Sequence, residues 1–136
     1  MRILVDANVL SETTRTSPNP GVVDWLRDHE RMMVVDPIIL GEIRFGIDLL
    51  PRGRRRSQLE EWFDHGVTRI ACLPWDAATG IRWAGLLADL RRKGLTMPIK
   101  DSMIAATALH NGLTIATRNV GDFEKAGVEV INPFAP

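Results

Sequence analysis

A chain of 136 residues is the length of one domain with one core, and 45% hydrophobic with 25% charged residues excludes a disordered composition. Seventeen basic residues balance seventeen acidic ones, so net charge neither demands nor forbids a nucleic-acid partner, and no apolar run approaches the roughly 20 residues that cross a bilayer. Cys72 is the only cysteine, which excludes an internal disulfide and fits a reducing cytoplasm.

In chain order, Ile3-Leu4-Val5 is an apolar run of the kind buried in parallel sheets, and it meets Asp6 too soon to be the apolar region of a signal peptide. Residues 8–13 predict a brief helix before Ser17-Pro18-Asn19-Pro20. Asn19 then caps a helix with Pro20 in its first turn and Val22, Val23, Trp25 and Leu26 on its apolar side. Residues 32–35 predict a second strand, and Pro37 opens a helix to about Leu50, where Pro51 and Gly53 break it. Residues 57–65 suit a helix packed through Leu59, Trp62 and Phe63. A third strand over 69–73 holds Cys72 as a small buried side chain and stops at Pro74. A helix from about Asp76 to Lys93 turns Trp83, Leu86, Leu87 and Leu90 inward, and Gly94 ends it. Another runs from about Lys100 to Asn111, and residues 113–117 and 128–131 predict the last two strands. The four tryptophans read as packing residues, and His29, His65 and His110 as partners of helix C-termini.

Strands alternating with helices predict an α/β fold: one domain over residues 1–136, a three-layer α/β/α sandwich with a mostly parallel sheet of four to five strands. In such sheets ligands sit at the carboxyl edge where strand order reverses, which directs attention to Asp6 after the first strand and to Thr117-Arg118-Asn119 after the fourth.

Four acids are candidates for that rim, though spacing alone does not bring them together. Glu42 interrupts the second of two apolar stripes on its helix, Ile38, Phe45 and Leu49. Taken alone it reads first as a glutamate at the margin of the buried face reaching to water, and otherwise as an inward carboxylate that needs a cation or strong donors. Asp101 opens the helix Asp101-Ser102-Met103-Ile104-Ala105-Ala106-Thr107, where a helix-dipole role competes with a place on the inward face. Taken singly, Asp6 fits the cap of the next short helix as well as a site, and Asp122 reads first as a loop residue capping a short turn. Together they mean more. Two carboxylates about 4 Å apart repel by roughly 4 kcal/mol at an effective dielectric of about 20, so four converging acids require proton uptake or a cation. Oxygen ligands favour Mg2+ or Mn2+, ions suited to phosphodiester hydrolysis.

The ordered set Val5-Asp6-Ala7-Asn8-Val9-Leu10, Gly41-Glu42, Lys100-Asp101-Ser102 with Ile104-Ala105-Ala106-Thr107-Ala108, then Thr117-Arg118-Asn119 with Asp122-Phe123, resembles PIN domains of the VapC type, close to the FitB branch. The resemblance spans essentially the whole chain. It implies a Mg2+- or Mn2+-dependent endoribonuclease that hydrolyses RNA, the toxin half of a toxin–antitoxin pair, dimeric and neutralised by a cognate antitoxin. Position by position it makes Asp6, Glu42, Asp101 and Asp122 the catalytic metal site, with Thr117 and Asn119 as supporting groups. Members often carry Ser or Thr after the first aspartate. Ala7 departs from that pattern and leaves Asn8 as the polar neighbour.

Arg44, Lys100 and Arg118 lie near the acids in sequence and are candidates for substrate contact, with pairing to those acids the competing role. The cluster Arg52, Arg54, Arg55 and Arg56 reads as a solvated helix start. The rival from another class is a non-catalytic or signalling module of the receiver type. That reading wants a second acid beside Asp6, an aspartate after the third strand and a lysine after the last, and the chain has none of these.

Overall fold

Short apolar segments between turn residues become the strands β1 (Ile3–Val5), β2 (Met33–Val35), β3 (Ala71–Cys72), β4 (Thr114–Ala116) and β5 (Val130–Ile131). They form one sheet in the order β3-β2-β1-β4-β5, and every neighbouring pair is parallel. The computed structural model describes residues 1–135. The expected domain boundary at Pro136 lies outside the described residues. The helices among them are α1 (Ala7–Leu10), α2 (Pro20–Asp28), α3 (Pro37–Asp48), α4 (Arg54–His65), α5 (Ala77–Arg92), α6 (Ile99–Asn111) and α7 (Val120–Lys125). The result is the expected α/β/α sandwich, with a sheet that is parallel throughout. No described helix is long and apolar enough to cross a membrane.

Ile3, Leu4 and Val5 are wholly buried, because β1 lies at the middle of the sheet and is covered on both faces. Burying each such side chain is worth about 1.5–3 kcal/mol. Ile39, Ile43 and Ile47 of α3, Leu86 and Leu90 of α5 and Ile104, Ala105 and Ala108 of α6 complete the same core. The chain builds β1, β2 and β3 to one side and returns to place β4 and β5 on the other, so the order reverses between β1 and β4. There the Asp6 N–H donates to the Ala116 carbonyl at 2.9 Å and the Thr117 N–H to that of Ile131 at 3.0 Å.

Several expectations need correction. Cys72 is exposed rather than buried, because two-residue β3 is an edge strand with both residues exposed. The helix expected from Ser57 begins at Arg54, since Arg55 donates to the Thr14 carbonyl and Arg56 reaches the Leu50 carbonyl at 3.2 Å. The second stripe of α3 meets the core only at Ile38: Phe45 is 64% and Leu49 68% exposed. Residues 120–125 fold into α7, where sequence suggested only a turn.

Candidate active site

Asp6 ends β1 and caps α1. Its Oδ1 accepts the Ala7 N–H at 2.8 Å, and its Oδ2 accepts the Thr117 hydroxyl at 2.8 Å across the switch point. Asn8 donates weakly from Nδ2 to Asp6 Oδ2 at 3.4 Å and to Thr117 Oγ1 at 3.3 Å, while its Oδ1 accepts the Arg118 N–H at 3.1 Å. The Asn119 N–H donates to Thr117 Oγ1 at 3.0 Å, so Asn119 enters this network through its backbone. Asp6, Asn8, Thr117 and Asn119 are thus tied together by two loops from opposite sides of the strand reversal.

The remaining acids come from α3, α6 and α7. Glu42 reaches the rim from the exposed stripe of α3, so it stands at the edge of the core and not inside it. Its Oε1 accepts Lys100 Nζ at 2.7 Å, and its Oε2 is buried without any hydrogen-bond partner. Asp101, 5% exposed, lies in the first turn of α6 and faces inward. That turn is held by Trp83, whose Nε1 donates to Ser102 Oγ at 2.9 Å, and by Trp75, whose Nε1 donates to the Met103 carbonyl at 3.1 Å. Asp122 lies in the first turn of α7, 3.5 Å from Lys125 Nζ.

The electrostatics join these groups. Burial raises the Asp6 carboxyl to about 6, the Thr117 hydrogen bond opposes the rise, and the charges of Glu42 and Asp101 add to it. Asp101 is raised by burial first and then by Asp122, with Lys100 opposing and Glu42 adding. The bond to Glu42 holds the Lys100 ammonium above its usual range. All four acids therefore belong to one interacting set. Among the described residues no three His, Cys, Asp or Glu side chains stand close enough together to hold a metal ion outright. Two of the four are drawn to ammonium groups, Glu42 to Lys100 and Asp122 to Lys125.

Of the three basic candidates only Lys100 meets the acids. Arg44 pairs with Asp48 and Glu60, each at 3.0 Å, and Arg118 lies 4.4 Å above the Phe134 ring.

Two buried acids escaped the sequence reading. Asp36 is wholly buried at the carboxyl end of β2, where Oδ1 caps α3 through the Ile39 N–H at 2.8 Å and Oδ2 accepts the Thr107 hydroxyl at 2.6 Å. The signal was present: Asp36-Pro37 opens a helix just as Asn19-Pro20 does. Glu12 is 4% exposed and accepts the Asn19 N–H at 2.7 Å, which secures the start of α2. Nothing in its neighbourhood in sequence marks it.

The pattern of the PIN domain matches residues 3–129, and the chain belongs to that family. It is 42% identical to the plasmid stability protein StbB of Pseudomonas syringae pv. tomato, covering 97% of this chain and 98% of that one. It is 32% identical to the VapC ribonuclease Y4jK of Sinorhizobium fredii, covering 98% and 99%. The toxin FitB of Neisseria gonorrhoeae is 34% identical over 97% and 98%. The crystal structure of FitAcB from the same organism matches with a TM-score of 0.92 at 33% identity, covering 98% and 99%.

Proposed function

We propose that this chain is a metal-dependent endoribonuclease of the VapC type, the toxin of a toxin–antitoxin pair acting in the cytoplasm. The observation that carries the reading is the buried, unpartnered Oε2 of Glu42 within a set of four interacting acids. A buried carboxylate oxygen without a donor costs free energy that a divalent cation or its water would recover. The donor set is all oxygen, which suits Mg2+ or Mn2+. Asp6, Asp101 and Asp122 would hold the ion, and Glu42 would be a further ligand or orient the attacking water. When bound, the ion supplies charge stabilisation at the scissile phosphate and a more acidic water.

The protein's own groups prepare that site. Thr117 fixes the rotamer of Asp6 by donating to Oδ2, leaving Oδ1 on the Ala7 amide. Asn8 bridges both loops and stands where a hydroxyl after the first aspartate is lacking. Relatives named as a VapC ribonuclease and as the toxin FitB support RNA as substrate and a cognate antitoxin as partner. Exposed Phe45, Leu49, Ile81 and Ile99 leave apolar side chains on α3, α5 and α6, which suits a homodimer or the antitoxin contact.

Purified protein free of antitoxin is expected to cleave a mixed RNA pool with Mg2+ or Mn2+ and to stop when EDTA is added. Cleavage undiminished by EDTA would sink the metal-dependent reading.

A further inference from the structure

Lys100 occupies an odd place for a cation. It sits in the first turn of α6, where the helix dipole disfavours positive charge, yet its ammonium bonds Glu42 on α3 from 58 positions away in sequence. Its side chain is 50% exposed, so the stem is free to swing outward without unpacking the core. The partner carboxylate is the one whose other oxygen is buried and unpartnered. A lysine that merely decorated the surface would not single out that group.

We propose that Lys100 is a positioning residue, the resident counter-cation of the acid set, which holds Glu42 in the metal-free protein and yields it when a divalent ion binds. This rests on the acid set being a metal site. Carboxylates that repel one another are relieved by proton uptake or by a cation, and in the metal-free protein the cation at Glu42 is Lys100. Lys100 supplies that charge to the unloaded protein and competes with the ion for the Glu42 carboxylate. Removing it unmasks the repulsion among the acids and at the same time strengthens their hold on a metal. A purely structural salt bridge would do the reverse, since loosening Glu42 would weaken a site that depends on it.

The test is Mn2+ binding, followed calorimetrically and by electron paramagnetic resonance, in the wild-type protein, Lys100→Met, Lys100→Arg, Glu42→Gln and the Lys100→Met/Glu42→Gln pair. Lys100→Met is expected to bind Mn2+ about tenfold more tightly, a change of about 1.4 kcal/mol, and its metal-free form to melt at a lower temperature. Lys100→Arg keeps the charge and is expected to stay within about twofold of wild type, a difference of about 0.4 kcal/mol. In the Glu42→Gln background the Lys100 substitution is expected to gain little. Wild-type binding with Lys100→Met equal to or weaker than it overturns the proposal and leaves the metal site standing. Absence of Mn2+ binding in every variant overturns both.

Discussion

Asp6→Asn is expected to lose at least about 100-fold in metal-dependent RNA cleavage while making the metal-free protein more stable at neutral pH. The first effect follows because partners of a metal ligand already cost about 10–100-fold, and Asp6 is proposed as a ligand itself. The second follows from the raised carboxyl. Well below the unfolded value of 3.8, Asp6 is protonated in both the folded and unfolded chains and has no effect on stability. Between the unfolded value of 3.8 and the folded value of about 6, the unfolded chain ionises first, so stability is lost as pH rises. Above that window the deficit is constant, about 3 kcal/mol at about 1.4 kcal/mol per pH unit. Asn cannot ionise and escapes it. Its amide nitrogen can donate to Thr117 Oγ1 while its oxygen keeps the Ala7 N–H, so the fold is retained. Urea denaturation of EDTA-treated protein from pH 4.5 to 8 checks the prediction. The stability gap between variant and wild type should open as pH rises. A gap that stays flat would falsify the assignment of burial strain to Asp6. Mn2+ should stabilise wild type and not the variant, because only a site that binds in the folded state shifts the equilibrium.

The same contrast between local pattern and tertiary context explains what the sequence disclosed. β1 was legible because Ile3-Leu4-Val5 is apolar and has an acid at its end. α2 was legible because Asn19-Pro20 is a cap followed by a first-turn proline. The four acids were named as a set through family resemblance, whereas the meeting of Asp6 and Asn8 with Thr117 and Arg118 depends on the order β3-β2-β1-β4-β5, which no spacing reveals. Glu42 shows the limit. Its place in an apolar stripe left a marginal glutamate and an inward carboxylate both open; Phe45 and Leu49 on that stripe face outward, and Glu42 works from the edge. Periodicity identifies a stripe but not the surface that covers it. α7 was missed because six residues with Gly121 inside carry no readable period and Asn119 makes no side-chain cap. Cys72 was misplaced because an apolar strand gives no sign of being at an edge.

Asp36 was missed although it links the helices that carry two of the candidate ligands, and Asp36→Ala is expected to cost about 2–4 kcal/mol. Loss of the cap on α3 removes about 1 kcal/mol, and stranding the buried Thr107 hydroxyl on α6 adds about 1–3. Asp36→Asn should differ from wild type by no more than about 1 kcal/mol at pH 7, since Asn is an equally good cap and its amide reaches Thr107. Burial raises the Asp36 carboxyl, with the Thr107 and Ile39 bonds opposing, so wild-type stability from this residue is lost as pH rises and the balance moves toward Asn. Because Asp36 caps the helix of Glu42 and holds the helix of Asp101, the alanine variant should also bind Mn2+ more weakly. A double-mutant cycle with Thr107→Val separates the two contributions, and coupling of about 0.5–3 kcal/mol is expected for groups in direct contact. Additive single effects, or Asp36→Asn as damaging as Asp36→Ala, would show that the hydrogen bonds do not carry the link between α3 and α6.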